Sequence, residues 1–148
     1  MKTIWHKKLV RLSLRAMLLW LEALFLLAMA RLLVWLLPFK YWSGLLGEHM
    51  SENQAYQQQH IKDKTLLAIT WAIKSAAYRA PWQAVCLPQA IAAKWMLGFR
   101  AQPSKLYLGV KPENYASGKL AAHAWLACGQ QTVTGGTADD FTCVSHFI

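Results

Sequence analysis

The sequence predicts an α+β fold, with N-terminal helices followed by a small antiparallel sheet. Two observations carry this. Apolar residues recur at helical spacing through the first two thirds of the chain, and short alternating runs rich in Leu, Tyr, Val and Trp fill the last third. The helices come first and the strands after, in 148 residues with no internal repeat, which suits one domain over 1–148. Within it, residues 1–63 form a helical part and 64–148 a core.

The first helix is read over residues 4–37, with a kink near Arg31 and a stop at Pro38. Lys8, Arg11, Arg15 and Glu22 fall in a sector roughly 60° wide, one narrow polar stripe on an otherwise apolar helix. Basic residues ahead of an apolar run, with Ala28-Met29-Ala30 behind, imitate a signal peptide or membrane anchor. Glu22 in the middle of the run argues against a span, because a carboxylate at bilayer depth costs several kcal/mol. The pattern is that of a buried core helix; contact with a membrane surface is compatible with it but less favoured.

Pro38 to Gly47 is a break whose aromatic residues Phe39, Tyr41 and Trp42 are expected to pack on the helices. Glu48 to Asp63 is polar and Gln-rich, a loop leading into a helix over Lys64–Tyr78. Ala80-Pro81-Trp82 breaks the chain. The next helix, Leu87–Leu97, starts with Pro88 in its first turn and stops at Gly98. Strands follow at Lys105–Val110, Leu120–Cys128 and Gln131–Thr134, the last two joined by a Gly129-Gln130 turn. Phe141–Phe147 reads as a last short strand.

Composition narrows the function classes. The net charge of +9 favours an acidic partner, but it is spread without a Lys/Arg block or nucleic-acid motif, so nucleic-acid binding is not expected. The three cysteines are odd in number and lack CxxC or CxxH spacing. That leaves no basis for a disulfide scaffold or a structural zinc site, and it fits a reducing, cytoplasmic setting with one reactive thiol. No metal or cofactor is expected.

Cys86 stands immediately before the helix opening at Leu87-Pro88, where free amides and the positive dipole end stabilise a thiolate. Ala90, Ala92 and Ala93 allow a sheet to approach that helix closely. Cys128 and Cys143 lack this setting and read as packed strand residues. His123 lies in a downstream strand, and a helix-start cysteine followed by a strand histidine is a recurring way to build a thiol–imidazole pair. With a two-residue turn at Gly129-Gln130, His123 lies across from Gly136, and Thr132 and Thr134 share its face. A third group that orients the imidazole would then come from Asp139, slightly preferred, or Asp140; both also suit a solvated turn.

Trp82-Gln83-Ala84-Val85-Cys86-Leu87-Pro88-Gln89-Ala90, Leu106-Tyr107-Leu108-Gly109-Val110, Ala122-His123-Ala124-Trp125 and Val133-Thr134-Gly135-Gly136 together resemble the leader peptidases of lasso-peptide biosynthesis, which are transglutaminase-like, papain-like cysteine peptidases. The resemblance extends over nearly the whole chain. It implies a peptidase that removes the leader from a ribosomally made precursor, with 64–148 as the catalytic core, Cys86 as nucleophile and His123 as base. The same resemblance implies three partners: the precursor peptide, a separate leader-recognition protein, and an ATP-dependent cyclase resembling asparagine synthetase. The family commonly has an Asp shortly after the His strand, where this sequence has Gly135-Gly136. Either Asp139 or Asp140 then substitutes or the enzyme works as a dyad, with the Cys86 amide as oxyanion donor and Gln83 as a candidate helper. A transamidase or acyltransferase on the same fold, or a non-catalytic scaffold, are the alternatives.

Overall fold

The computed structural model of the protein describes residues 13–47, 63–114, 118–136 and 138–148. Its elements are α1 (Leu14–Leu36), α2 (Phe39–Trp42), a 3-10 turn (Ser43–Leu46), α3 (Asp63–Arg79), α4 (Cys86–Gly98), β1 (Lys105–Asn114), β2 (Lys119–Cys128), β3 (Gln131–Thr134) and β4 (Thr142–Phe147). The expected order of helices before strands, and the α+β class, are therefore observed. The polar stretch expected as a loop lies, up to Ile61 and Lys62, outside the described residues.

Ser13 sets the start of α1: its hydroxyl accepts a hydrogen bond from the Ala16 amide at 3.3 Å, a side-chain N-cap. The helix then runs through Arg31 without a break to Leu36. Its buried face is Ala23, Leu26, Leu27 and Ala30, which meets Ile69, Ala72, Ile73 and Ala76 of α3 in one core. Small residues on both helices let their backbones approach closely, and the large ones fill the space between.

α1 corrects one expectation. It is not buried all round: its opposite face is apolar and exposed, with Phe25 64% and Trp35 73% accessible. The helix that is buried on nearly every side is α4. Ala90, Ile91, Ala92, Ala93, Met96 and Leu97 are each inaccessible, because α4 lies between the α1–α3 pair and the sheet. Arg100, just past α4, joins the layers through a paired bond to Glu22 of α1, Nη1–Oε1 2.8 Å and Nη2–Oε2 2.7 Å. The polar stripe seen in the sequence thus ends in an ion pair on the flank of α1. Trp42 is buried in the core with the helices, as expected, whereas Tyr41 stays 67% exposed; Phe39 meets the Trp42 ring edge-on at 4.8 Å and also reaches Phe147 of β4.

The sheet is antiparallel with order β3-β2-β1-β4. Alternation along β2 fixes its faces. Ala124, Leu126 and Cys128 are buried against α4, so Ala121, His123, Trp125 and Ala127 point to the outer face. β1 is longer than expected and contains Pro112. Pro112 lies where the ladder loosens: β4 pairs with β1 only as far as Val110–Thr142, and the β2 register shifts between Pro112 and Asn114.

The β2–β3 hairpin carries the other correction. Cys128–Gln131 and Ala127–Thr132 pair as a two-residue turn demands, but Leu126 pairs with Thr134. Val133 is therefore the extra residue of a bulge, and the register beyond it moves by one. Thr134 turns into the core, 2% accessible, instead of sharing the face of His123. Gly135, not Gly136, comes alongside β2.

Candidate functional site

Cys86 is the first residue of α4, with Val85 as N-cap in an extended conformation. Val85 has no side chain able to cap the helix, and no side-chain cap bond is made. The amides of the first turn are therefore free for an external acceptor, the arrangement that stabilises an anion at this position. The strand-like approach to Cys86 is fixed from below: Gln89 donates from Nε2 to the Ala84 carbonyl, and its amide bonds to the Val85 carbonyl at 3.3 Å. The half-buried Cys86 packs against the core, as do its neighbours Trp82, Ala84 and Leu87.

The other two cysteines divide. Cys128 is buried, donates to the Pro103 carbonyl at 2.9 Å, and burial pushes its thiol above the ordinary value. It is the packed strand residue that was expected. Cys143 is exposed, because it lies on the edge strand β4 next to the register shift at Leu108/Gly109. The expectation of packing fails there.

His123 is held by the chain segment that leaves β3. β3 and β4 lie on opposite edges of the sheet, and the residues at both ends of the connection, Gly135 and Phe141, meet His123 on the outer face. At its start, the Gly135 carbonyl oxygen is 2.7 Å from Nε2 of His123. At its end, the Phe141 ring lies 4.8 Å from the imidazole, with Lys111 Nζ 4.6 Å above that phenyl ring. Trp125, two residues along β2, stacks beside the imidazole at 6.1 Å and itself stacks on Tyr107 at 5.4 Å. Gly109 makes this possible: a Cβ there would come within 2.7 Å of the Trp125 ring.

A carbonyl only accepts, so the bond to Gly135 requires the proton of a neutral His123 to sit on Nε2. Nδ1 is then left with its lone pair, as a base needs. Asp139 and Asp140, the expected orienting groups, lie exposed in the turn closed by Phe141 N to Ala138 O at 2.9 Å, and neither bonds to His123. The bulge at Val133 brings a backbone oxygen to the ring in their place. This residue was missed at the sequence level; its signal was the Gly-Gly pair after Thr134, read only as a strand end.

Cys86 and His123 sit on two elements in contact, α4 and β2. Their side chains are not hydrogen-bonded to each other: the ring bond of His123 goes to Gly135, on the sheet face turned away from α4. Gln83, the candidate oxyanion helper, lies exposed two residues before Val85. Among the described residues, no three His, Cys, Asp or Glu side chains gather as a metal site would require.

A family model described as the transglutaminase-like superfamily matches residues 33–146, which includes α4 and all of the sheet but Phe147. No curated protein matches the chain, and no solved structure does.

Proposed function

Because the chain belongs to the transglutaminase-like superfamily, whose members are typically cysteine-based enzymes, we propose that it is a cysteine peptidase that removes the leader from a ribosomally made lasso-peptide precursor. The observation that carries the reading is a reactive-type thiol position and an oriented imidazole on packed elements inside the matched region. Cys86 opens an uncapped helix, and His123 has its Nε2 fixed by Gly135.

In this reading His123 Nδ1 takes the thiol proton and Cys86 Sγ attacks the scissile carbonyl carbon. The carbonyl oxygen becomes an oxyanion at the free amides of the α4 start, that of Cys86 first. The intermediate collapses to a thioester on Cys86 while the imidazolium gives its proton to the departing amine. Water then adds, with His123 again as base, and releases the carboxylate and the thiol. Proton transfer requires His123 Nδ1 and Cys86 Sγ to come within hydrogen-bond reach; because the ring lies on the face of β2 turned away from α4, the substrate complex must in this reading bring the ring round to the α4 start. A precursor peptide, a leader-recognition protein and an ATP-dependent cyclase are the partners this activity needs.

Trapping tests it. A peptide carrying an electrophile at the scissile position should label Cys86 and neither Cys128 nor Cys143, and His123→Ala should slow labelling by about a hundredfold. Equal labelling rates in both proteins would remove His123 from the base role. The mass of the released acyl product separates hydrolysis, which leaves a carboxylate, from transfer to an amine.

One observation favours a second reading, a scaffold that binds leader and cyclase without cleaving. Cys86 and His123 are not hydrogen-bonded, and among the described residues no carboxylate bonds to the imidazole. A chain that binds leader peptide but forms no adduct with the electrophile is this scaffold.

A further inference from the structure

Among the described residues the outer face of α1 is unpartnered, and it has a definite shape. Leu14, Leu18, Leu21, Phe25, Leu32 and Leu36 are all exposed. At 100° per residue they fall in a sector roughly 60° wide along a helix about 34 Å long. The buried residues Ala23, Leu26, Leu27 and Ala30 occupy the opposite side. Arg15 and Arg31 lie between the two faces, one on each flank. Glu22 is the only acid on the helix, and it is held by Arg100.

We propose that this face docks in the plane of an anionic lipid bilayer, with the rest of the domain on the aqueous side. Charge selects this occupant. The described helices α1 to α3 expose Arg15, Lys40, Lys64, Lys74 and Arg79, and besides the engaged Glu22 their one acid is Asp63 at the start of α3. The described acids Glu113, Asp139 and Asp140 belong to the sheet side. A second copy facing the same stripe would bring arginine flanks together with, among the described residues, no free acid between them, whereas lipid phosphates sit where the flanking guanidiniums reach. Long basic side chains at the edges of an apolar face extend to the headgroups while the face enters the acyl boundary. The end of the helix suits the same depth: Trp35 is 73% and Tyr41 67% exposed, and Lys40 Nζ stands 5.3 Å over the Tyr41 ring. Exposed Trp and Tyr beside a cation are the groups that settle at a headgroup layer. The buried face of α1 and the Glu22–Arg100 pair keep the helix on the domain, so it lies on the membrane rather than through it.

Flotation of the full chain with vesicles tests this. The chain should float with phosphatidylcholine vesicles containing about a third phosphatidylglycerol, float far less with phosphatidylcholine alone, and release as salt rises. Leu21→Gln/Phe25→Gln should lower the bound fraction at least about tenfold. If that pair fails to fold, Arg15→Gln/Arg31→Gln should lower binding to the phosphatidylglycerol vesicles severalfold and leave binding to phosphatidylcholine unchanged. No flotation of the wild type, or flotation that neither pair of substitutions weakens, overturns the proposal. A lipid-free dimer that Leu21→Gln/Phe25→Gln converts to monomer, without flotation, assigns the face to a second copy instead.

Discussion

Nε2 of His123 lies 2.7 Å from the carbonyl oxygen of Gly135, so a backbone acceptor stands where a carboxylate would otherwise orient the imidazole. Gly135 has φ +93°, and a Cβ there would come within 2.5 Å of Trp125 Cβ and 2.7 Å of the Ala124 oxygen. Gly135→Ala must therefore move the carbonyl. The expected result is a fall in kcat of about tenfold to a hundredfold with KM little changed, since only the position of the base is altered. Ring ¹⁵N shifts should show the Nε2-protonated tautomer in wild type and a mixture in the variant. A variant with lowered kcat and an unchanged tautomer would refute the orienting role.

Thr134 is 2% accessible, and its hydroxyl has no hydrogen-bond partner. Thr134→Val keeps the shape and removes an unsatisfied buried group. It should stabilise the fold by about 1 kcal/mol in urea melts, with an unchanged slope. A loss of stability would mean that the hydroxyl is partnered in solution.

Gly109 lies opposite His123 in the β1–β2 ladder, beneath the Trp125 ring. Gly109→Ala places a methyl within 2.7 Å of that ring and 3.1 Å of the Thr142 oxygen. It should cost about 1–3 kcal/mol by overpacking and lower activity by displacing Trp125 from the imidazole. Unfolding curves and turnover measured on the same protein check both parts.

Lys94 donates to the Ser104 carbonyl at 3.0 Å, and burial lowers its ammonium from 10.5 to about 8. Below about pH 8 both folded and unfolded chains hold the proton, and the folded state carries the full desolvation cost. Between about 8 and 10.5 the unfolded chain binds more protons, so this group's contribution rises with pH. Burial of the Cys128 thiol and the Tyr107 hydroxyl acts in the opposite sense at alkaline pH. Lys94→Met isolates the first effect: it should be more stable than wild type near pH 7, and the advantage should shrink steadily toward pH 10.5. A pH-independent difference would show that Lys94 is solvated in the fold.

Much of the architecture is legible in the sequence. Spacing and stop signals place α3, α4 and all four strands within a few residues, because period, Pro88, Gly98 and the Gly129 turn are local chemistry. The bulge at Val133 is not local. It turns Thr134 into the core and leaves Gly135 beside Trp125, with its carbonyl oxygen on His123. The partial exposure of α1 escaped the reading for a similar reason. Both its sides are apolar, and only tertiary packing determines which is covered. Cys86 and His123 are the site candidates that setting and resemblance single out, and their separation across the sheet depends on which strand residues face α4.

Leader cleavage tests the central claim most directly. A precursor peptide and a leader-binding partner are mixed with wild type or with Cys86→Ala, and the products are read by mass spectrometry. The account predicts a free leader carboxylate with wild type and intact precursor with Cys86→Ala. Cleavage by both proteins, or by neither while the partner holds the leader, would contradict it and leave the scaffold reading in its place.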